Sequence, residues 1–206
     1  MSKKGNVMFV DIDYAPNFKR SDNELEAFVV FSICVAGKNA DTTKKSLISF
    51  FDKWHIVSKK TTPFEIIRSF SNQEELAQAL KNEGIGCQTR RAEYLYDLVN
   101  SDIDLQRCSV EELEGVKGIG PKTARFFILF SRENENHAVL DVHILRWLQQ
   151  LGFDVPDITP SASKKYNEIE QLFIEQFRNS VDANKMSLAD FDYMIWEKMS
   201  GRDNYE

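Results

Sequence analysis

The chain has 206 residues and 23.8 kDa, enough for one ordinary domain or two small lobes; 42% hydrophobic and 28% charged residues exclude a disordered or fibrous protein. Its 26 basic and 32 acidic residues give a formal charge of -6 and a pI near 5.2, which counts against gripping nucleic acid by bulk positive charge. No apolar run approaches the roughly 20 residues of a membrane span, and the start Met1-Ser2-Lys3-Lys4 lacks a signal-peptide apolar core.

From the N-terminus, Val7, Phe9 and Ile12 or Tyr14 line one side of an extended strand. It is too short to found a sheet and is expected to lie against a helical body. Ser21-Asp22-Asn23 then caps a helix with Leu25, Phe28, Val29 and Ile33 on one face and a stop at Gly37. Asp41 or Thr42 caps a second, through Leu47, Ile48, Phe51 and Trp54. Pro63 opens a short helix over 64–70. Ser71-Asn72, followed by Glu74-Glu75, opens another that carries Leu76 and Leu80 and stops at Gly84. Further helices are predicted over 88–100, 109–115, 121–132, 141–151, 161–180 and 188–199, with Tyr166, Ile169, Leu172, Phe173 and Phe177 at amphipathic spacing. With no repeat, low-complexity stretch or long linker, the expectation is a compact all-α fold. Cys34, Cys87 and Cys108 cannot all pair, nor make a four-cysteine zinc or iron-sulfur site; reduced thiols in a cytosolic or nuclear-type compartment follow.

One segment carries chemistry. Residues 113–124 read as a short helix, a turn with Gly118 and Gly120, then a helix begun by Pro121-Lys122-Thr123. Glycines without Cβ let backbone amides approach a phosphate oxygen, and free N–H groups with the helix dipole favour an anion at that end. Backbone donors carry no base readout, so such a clamp is sequence-independent. The plainer alternative is a C-cap glycine followed by an ordinary helix–helix turn. Downstream, a polar stretch over 131–137 leads to Asp141-Val142-His143. Eleven helical rises carry the chain roughly 16 Å from Lys122. The eight or so residues before Asp141 reach back roughly 26 Å if extended. Lys122 and Asp141 can therefore share one end of the hairpin helix, an amine and a carboxylate beside the clamp.

These residues resemble the helix-hairpin-helix–Gly/Pro–Asp (HhH-GPD) superfamily of DNA glycosylases, which includes endonuclease III and the 8-oxoguanine DNA glycosylases. The hairpin and Asp141, at a 19-residue spacing from Lys122, carry the likeness. The stretches 31–41, 84–95 and 188–196 support it as a first helix with its DNA-entering loop, a helix start and a closing helix. The resemblance implies a two-lobed all-α fold with a DNA cleft between the lobes. It also implies an N-terminal extension over 1–20, a helical-barrel lobe over about 38–140, and a second lobe from 21–37 plus 141–206.

The resemblance further implies a base-excision-repair enzyme that flips a damaged base and cleaves its N-glycosidic bond. Asp141 matches the aspartate that stabilises oxocarbenium character at C1′ and helps activate the nucleophile; it would cap its helix as well. Lys122 matches the lysine of bifunctional members, which attacks C1′ and forms a Schiff base that leads to β-elimination. Desolvation and the positive helix end both lower a lysine pKa, as a neutral nucleophile requires. The plainer role for Lys122 is contacting phosphate. The residues expected to touch DNA are Gly118, Gly120, Thr123, Lys38, Asn39, Arg90, Arg91 and His143. Lys38 or Asn39 would fill the gap left by the flipped base; the alternatives are a polar loop there, a solvated face for Arg90 and Arg91, and a structural His143. Trp147, Trp196 and Phe126 line either a base pocket or the core. No cofactor is required, although family hairpins often hold a monovalent or calcium ion through carbonyls matching Glu114, Val116 and Ile119.

No cysteine follows Cys108, so the iron-sulfur cluster of the endonuclease III branch is not expected, and Lys122 disfavours the alkylbase branch. The substrate leans to an oxidised purine, 8-oxoguanine, in double-stranded DNA handled by a monomer. The setting is cytoplasmic beside the nucleoid in a prokaryote, or nuclear in a eukaryote. The alternatives are a glycosylase for oxidised pyrimidines and a non-enzymatic DNA-structure binder, which has no use for Lys122 with Asp141. The charge also divides unevenly. Residues 37–62 hold six basic residues against two acidic, while 141–206 hold seven basic against twelve acidic.

Overall fold

The computed structural model describes residues 9–180 and 185–201, and it is helical throughout, with no strand among the described residues. In chain order the helices are α1 (Asp22–Val35), α2 (Ala40–Ser58), α3 (Pro63–Arg68), α4 (Gln73–Asn82), α5 (Gln88–Asn100), α6 (Val110–Glu114), α7 (Pro121–Ser131), α8 (Val142–Gln150), α9 (Ser163–Ser180) and α10 (Leu188–Ser200). The chain groups into two compact units. One takes 9–13, 20–108 and 115–118, and so α1–α5; the other takes 14–19, 109–114 and the described residues from 119 on, and so α6–α10. No helix of the described residues is long and apolar enough to cross a membrane.

The first unit is built around α1. Its capping residue Ser21 is tied down by Glu24, whose carboxylate accepts from both the Ser21 N–H and Oγ–H at 2.7 Å. Ala27, Phe28, Val29, Val30, Phe31, Ile33 and Cys34 are all buried, so α1 is apolar nearly all round and α2, α3 and α5 pack against it. Burial pushes the Cys34 thiol up to about 12, which leaves it protonated and inert. All three cysteines are free. α4 packs along α5. Side-chain caps start α3 and α4, where Thr62 accepts from the Glu65 N–H and Asn72 from the Glu75 N–H. α2 begins earlier than Asp41 or Thr42: Asn39 is its cap and accepts from the Thr42 N–H at 3.0 Å, because Ala40 and Thr43 are buried and draw the first turn inward.

The N-terminal segment also departs from expectation. Val7 lies outside the described residues, and Phe9 to Tyr14 forms no strand. Val10 and Ile12 are the buried pair, while Phe9 stacks on His55 at 4.3 Å and its N–H donates to Asp52. With the aromatic ring on the flank of α2, the smaller aliphatic side chains take the core.

In the second unit α8 packs on α10, α6 on α7, and α10 also touches α7 and α9. Tyr166, Phe127 and Phe173 are fully buried, with Ile144, Leu145 and Leu148 of α8. Residues 14–19 are fastened by the Asn17 N–H, which donates to the Phe130 carbonyl at the end of α7.

Candidate active site

The two glycines of the hairpin turn differ in kind. Gly118 has φ +86, and a Cβ there would fall 2.1–2.6 Å from the ring of Tyr94 on α5. Only glycine meets both constraints. Gly120, the N-cap of α7, has φ -97 and nothing within 4 Å of the place a Cβ would take. It brings no capping side chain either, so the first-turn amides of α7, which have no partner inside the helix, gain none from Gly120. Lys117, the basic residue of the turn, is committed elsewhere. Its N–H donates to Asp97 at 2.9 Å and its Nζ to Glu93 at 2.5 Å. The hydrogen bond and charge of Glu93 raise its pKa.

Lys122 occupies the first turn of α7 and is partly exposed. Asp141 is the N-cap of α8, only 9% exposed; its Oδ1 accepts from the N–H groups of His143 at 2.8 Å and Ile144 at 3.0 Å. The three residues leading into it are gripped one by one. The Ala138 N–H donates to Glu170 Oε1 at 2.9 Å, the Val139 N–H to Asp192 Oδ2 at 2.8 Å, and the Leu140 N–H to the Tyr166 hydroxyl at 2.9 Å. Tyr166 in turn donates to the Ala138 carbonyl, and Thr159 to the Leu140 carbonyl. Buried backbone groups in an irregular segment need such partners, and here side chains from α9 and α10 supply them.

Electrostatics tie the pair together. Burial drives the Asp192 carboxyl well above its usual range; the Val139 N–H opposes this, Asp141 pushes it further up and Lys122 pulls it down. Lys122 and Asp141 thus lie within electrostatic reach of one buried carboxyl. Arg125, one turn beyond Lys122, is 5% exposed and uses its whole fork. Nε donates to Glu170 at 2.8 Å, Nη1 to Glu114 at 2.7 Å and to the Pro121 carbonyl at 3.2 Å, and Nη2 to Asn167 at 2.8 Å. Sequence reasoning missed Arg125, Tyr166, Glu170 and Asp192. Their signal was a polar group set among apolar neighbours at helical spacing, as Asp192 is between Phe191 and Ile195.

The other expected residues scatter in character. Lys38 and Asn39 are exposed between α1 and α2, with Asn39 engaged in capping. Arg90 is exposed in the first turn of α5, and Thr123 partly so. Arg91 is buried and donates to the carbonyls of Gly86 and Ala36, joining two loops of the first unit. The Nδ1 of His143 lies 3.2 Å from the Met199 carbonyl, and its ring meets Trp196 edge-on. Trp147 packs edge-on against Phe173 and Phe191 and is half-buried. Phe126, Phe130, Tyr193 and Trp196 form a continuous aromatic row in which only Phe130 is fully buried. Glu114 spends its carboxylate on Arg125, while the carbonyls of Val116 and Ile119 accept no backbone hydrogen bond from the described residues. Among those residues no three His, Cys, Asp or Glu side chains cluster as a metal site.

Comparison with known proteins identifies the fold and the family. Over 141 residues the chain is 31% identical to an 8-oxoguanine DNA glycosylase/AP lyase of Methanocaldococcus jannaschii, a match that spans 63% of this chain and 65% of that protein. The crystal structure of the 8-oxoguanine glycosylase/lyase of that organism in complex with a 15-mer DNA containing 8-oxoguanine superimposes with TM-score 0.65 and 25% identity, over 93% of this chain and 88% of the other. The 8-oxoguanine DNA glycosylase of Thermotoga maritima, 21% identical, shares the fold with TM-score 0.65 over 88% and 82% of the two chains. The family model of the helix-hairpin-helix 8-oxoguanine DNA glycosylases matches residues 15–182. The chain belongs to that family.

Proposed function

We propose that this protein excises 8-oxoguanine from double-stranded DNA and then cleaves the strand as an abasic-site lyase. The observation that carries the reading is that α7, whose first turn holds Lys122, and α8, which Asp141 caps, both pack on α10, whose Asp192 accepts from the Val139 N–H two residues before Asp141. The named activity of the Methanocaldococcus relative supports it.

The chemistry follows from the two groups. The Lys122 amine, deprotonated, attacks C1′ of the flipped nucleotide. The glycosidic bond breaks and its electron pair leaves with the base, which takes up a proton. Asp141 uses Oδ1 to cap α8, and its carboxylate stabilises the positive charge that grows at C1′ as the bond lengthens. The adduct opens to an iminium on Lys122 Nζ. Loss of a C2′ proton then expels the 3′ phosphate by β-elimination, and water releases the enzyme.

Gly118 and Gly120 present the clamp, with Thr123 beside it on α7. Lys38 is the favoured residue for the gap in the duplex, because the side-chain oxygen of Asn39 is already spent on capping. Arg90 contacts backbone, whereas Arg91 serves by building the loop that carries Lys38. The partly exposed faces of Trp196, Tyr193 and Phe126 offer stacking to a flipped base. The backbone carbonyls of Glu114, Val116 and Ile119 would hold a monovalent or calcium ion at the turn, if one binds there. The compartment is the one that holds the genome.

A panel of duplexes, each with one lesion, tests the reading. Excision of 8-oxoguanine at least tenfold faster than of oxidised pyrimidines or alkylated bases is expected, and Lys122→Gln should lose at least about 100-fold. Preference for a pyrimidine lesion would overturn the substrate, and DNA binding without excision of any lesion would leave a non-enzymatic binder.

A further inference from the structure

We propose that Glu170 is a positioning residue for the reacting pair: one of its carboxylate oxygens, locked by Arg125, joins the start of the Lys122 helix to the segment that delivers Asp141. The inference rests on the reading that Lys122 and Asp141 carry the chemistry.

The connection runs through a few atoms. Glu170 Oε1 accepts from Arg125 Nε at 2.8 Å and from the Ala138 N–H at 2.9 Å. The same guanidinium reaches back through Nη1 to the carbonyl of Pro121, the residue before Lys122, and to Glu114 on α6. Ala138 is three residues ahead of Asp141. Between the two ends the covalent route runs through residues 132–137, a polar stretch outside any helix that is exposed or half-exposed and has no core of its own. The separation of amine and carboxylate therefore depends on the Arg125–Glu170 link more than on the covalent connection.

The pair is also an odd choice for stability alone. Arg125 is 5% and Glu170 4% exposed, and a buried ion pair can often be replaced by apolar side chains without loss. What apolar groups cannot do is bond four acceptors on three helices in fixed directions, which the planar fork of Arg125 does. Burial disfavours ionised Glu170, yet His137, the Ala138 N–H and Arg125 together hold its pKa below the ordinary glutamate range. Misplacement by about 1 Å can cost on the order of 100-fold in rate.

The test uses the full chain and Glu170→Gln, Arg125→Lys and the double variant, each assayed below its melting temperature. Three quantities are read: affinity for a duplex with a tetrahydrofuran abasic analogue, single-turnover 8-oxoguanine excision, and the rate of borohydride trapping on a preformed abasic site. Expected is affinity within about threefold of wild type, with excision and trapping each down about 100-fold in the single variants. The double variant should fall no further, because both substitutions break one connection. Arg125→Lys keeps the charge facing Glu170 and carries the test if Glu170→Gln does not fold. Variants that melt earlier but excise and trap at the wild-type rate would overturn the proposal and leave the glycosylase–lyase reading standing. A wild-type chain that neither excises nor traps would overturn both.

Discussion

Replacing Gly118 by alanine places a methyl group where no adjustment of a side-chain tip can make room. The new Cβ would lie 2.1 Å from Cγ of Tyr94 and 2.2 Å from Cδ2, atoms at the root of the ring, so either α5 or the hairpin turn must move. Two costs add. The backbone at φ +86 is one that L residues rarely adopt, at about 1–2 kcal/mol. Overpacking against Tyr94 contributes about 1–3 kcal/mol. The sum is a loss of roughly 2–5 kcal/mol, or a fall in melting midpoint of roughly 4–20 °C for a chain of this size. Thermal and urea unfolding of Gly118→Ala, Tyr94→Ala and the double variant apportion it. Removing the ring should recover the overpacking part, leaving the double variant closer to Tyr94→Ala than additivity allows. A Gly118→Ala protein as stable as wild type, or a double variant with strictly additive losses, would refute the steric argument.

Gly120 should behave in the opposite way. Gly120→Val has free space and an ordinary φ, so stability should change by less than about 0.5 kcal/mol while duplex affinity falls about tenfold, as gel shifts would show. In the proposed clamp amides hold the DNA backbone, and Lys117 is paired with Glu93, so the slope of log affinity against log salt should be shallow, roughly -2 to -4; a slope near -8 would contradict this. Asp192 has a raised pKa in the folded protein. Its favourable contribution is therefore complete below pH 3.8 and is lost as pH rises through the folded value. The melting temperature of Asp192→Asn relative to wild type should accordingly become more favourable from pH 4 to pH 8, and a constant difference would count against it.

The helices were legible because polar caps and glycine stops bracket apolar runs at helical spacing, and Lys122 and Asp141 stood out as candidates because they sit in a motif whose residue types suit the proposed chemistry. What escaped notice depended on contacts distant in sequence. Arg125 and Glu170 look like solvated polar positions until the Arg125 guanidinium meets Glu170 and Asn167 of α9, and Asp192 is buried because α10 lies against α7 and α8. Arg91 failed in the same way, since a periodicity count treats arginine as an outward residue while it is buried and its fork bonds two loop carbonyls. The start of α2 was misplaced by two or three residues, and in the N-terminal segment Val10 rather than Phe9 joins Ile12 in the core, where neighbouring polar or apolar groups competed and tertiary packing chose. Gly118 and Gly120 looked equivalent as letters, but one is demanded by Tyr94 and the other leaves room for a ligand. The net charge of -6 likewise pointed away from DNA, because a sum over the whole chain is blind to where individual lysines and backbone amides sit.

The central claim is that Lys122 is the nucleophile. Borohydride reduction of a mixture of the full chain with a duplex carrying a single 8-oxoguanine, followed by protease digestion and mass spectrometry, tests it directly. The account requires a covalent protein–DNA adduct on Lys122, absent from Lys122→Gln. An adduct on another lysine, or excision that proceeds with no adduct at all, would contradict it.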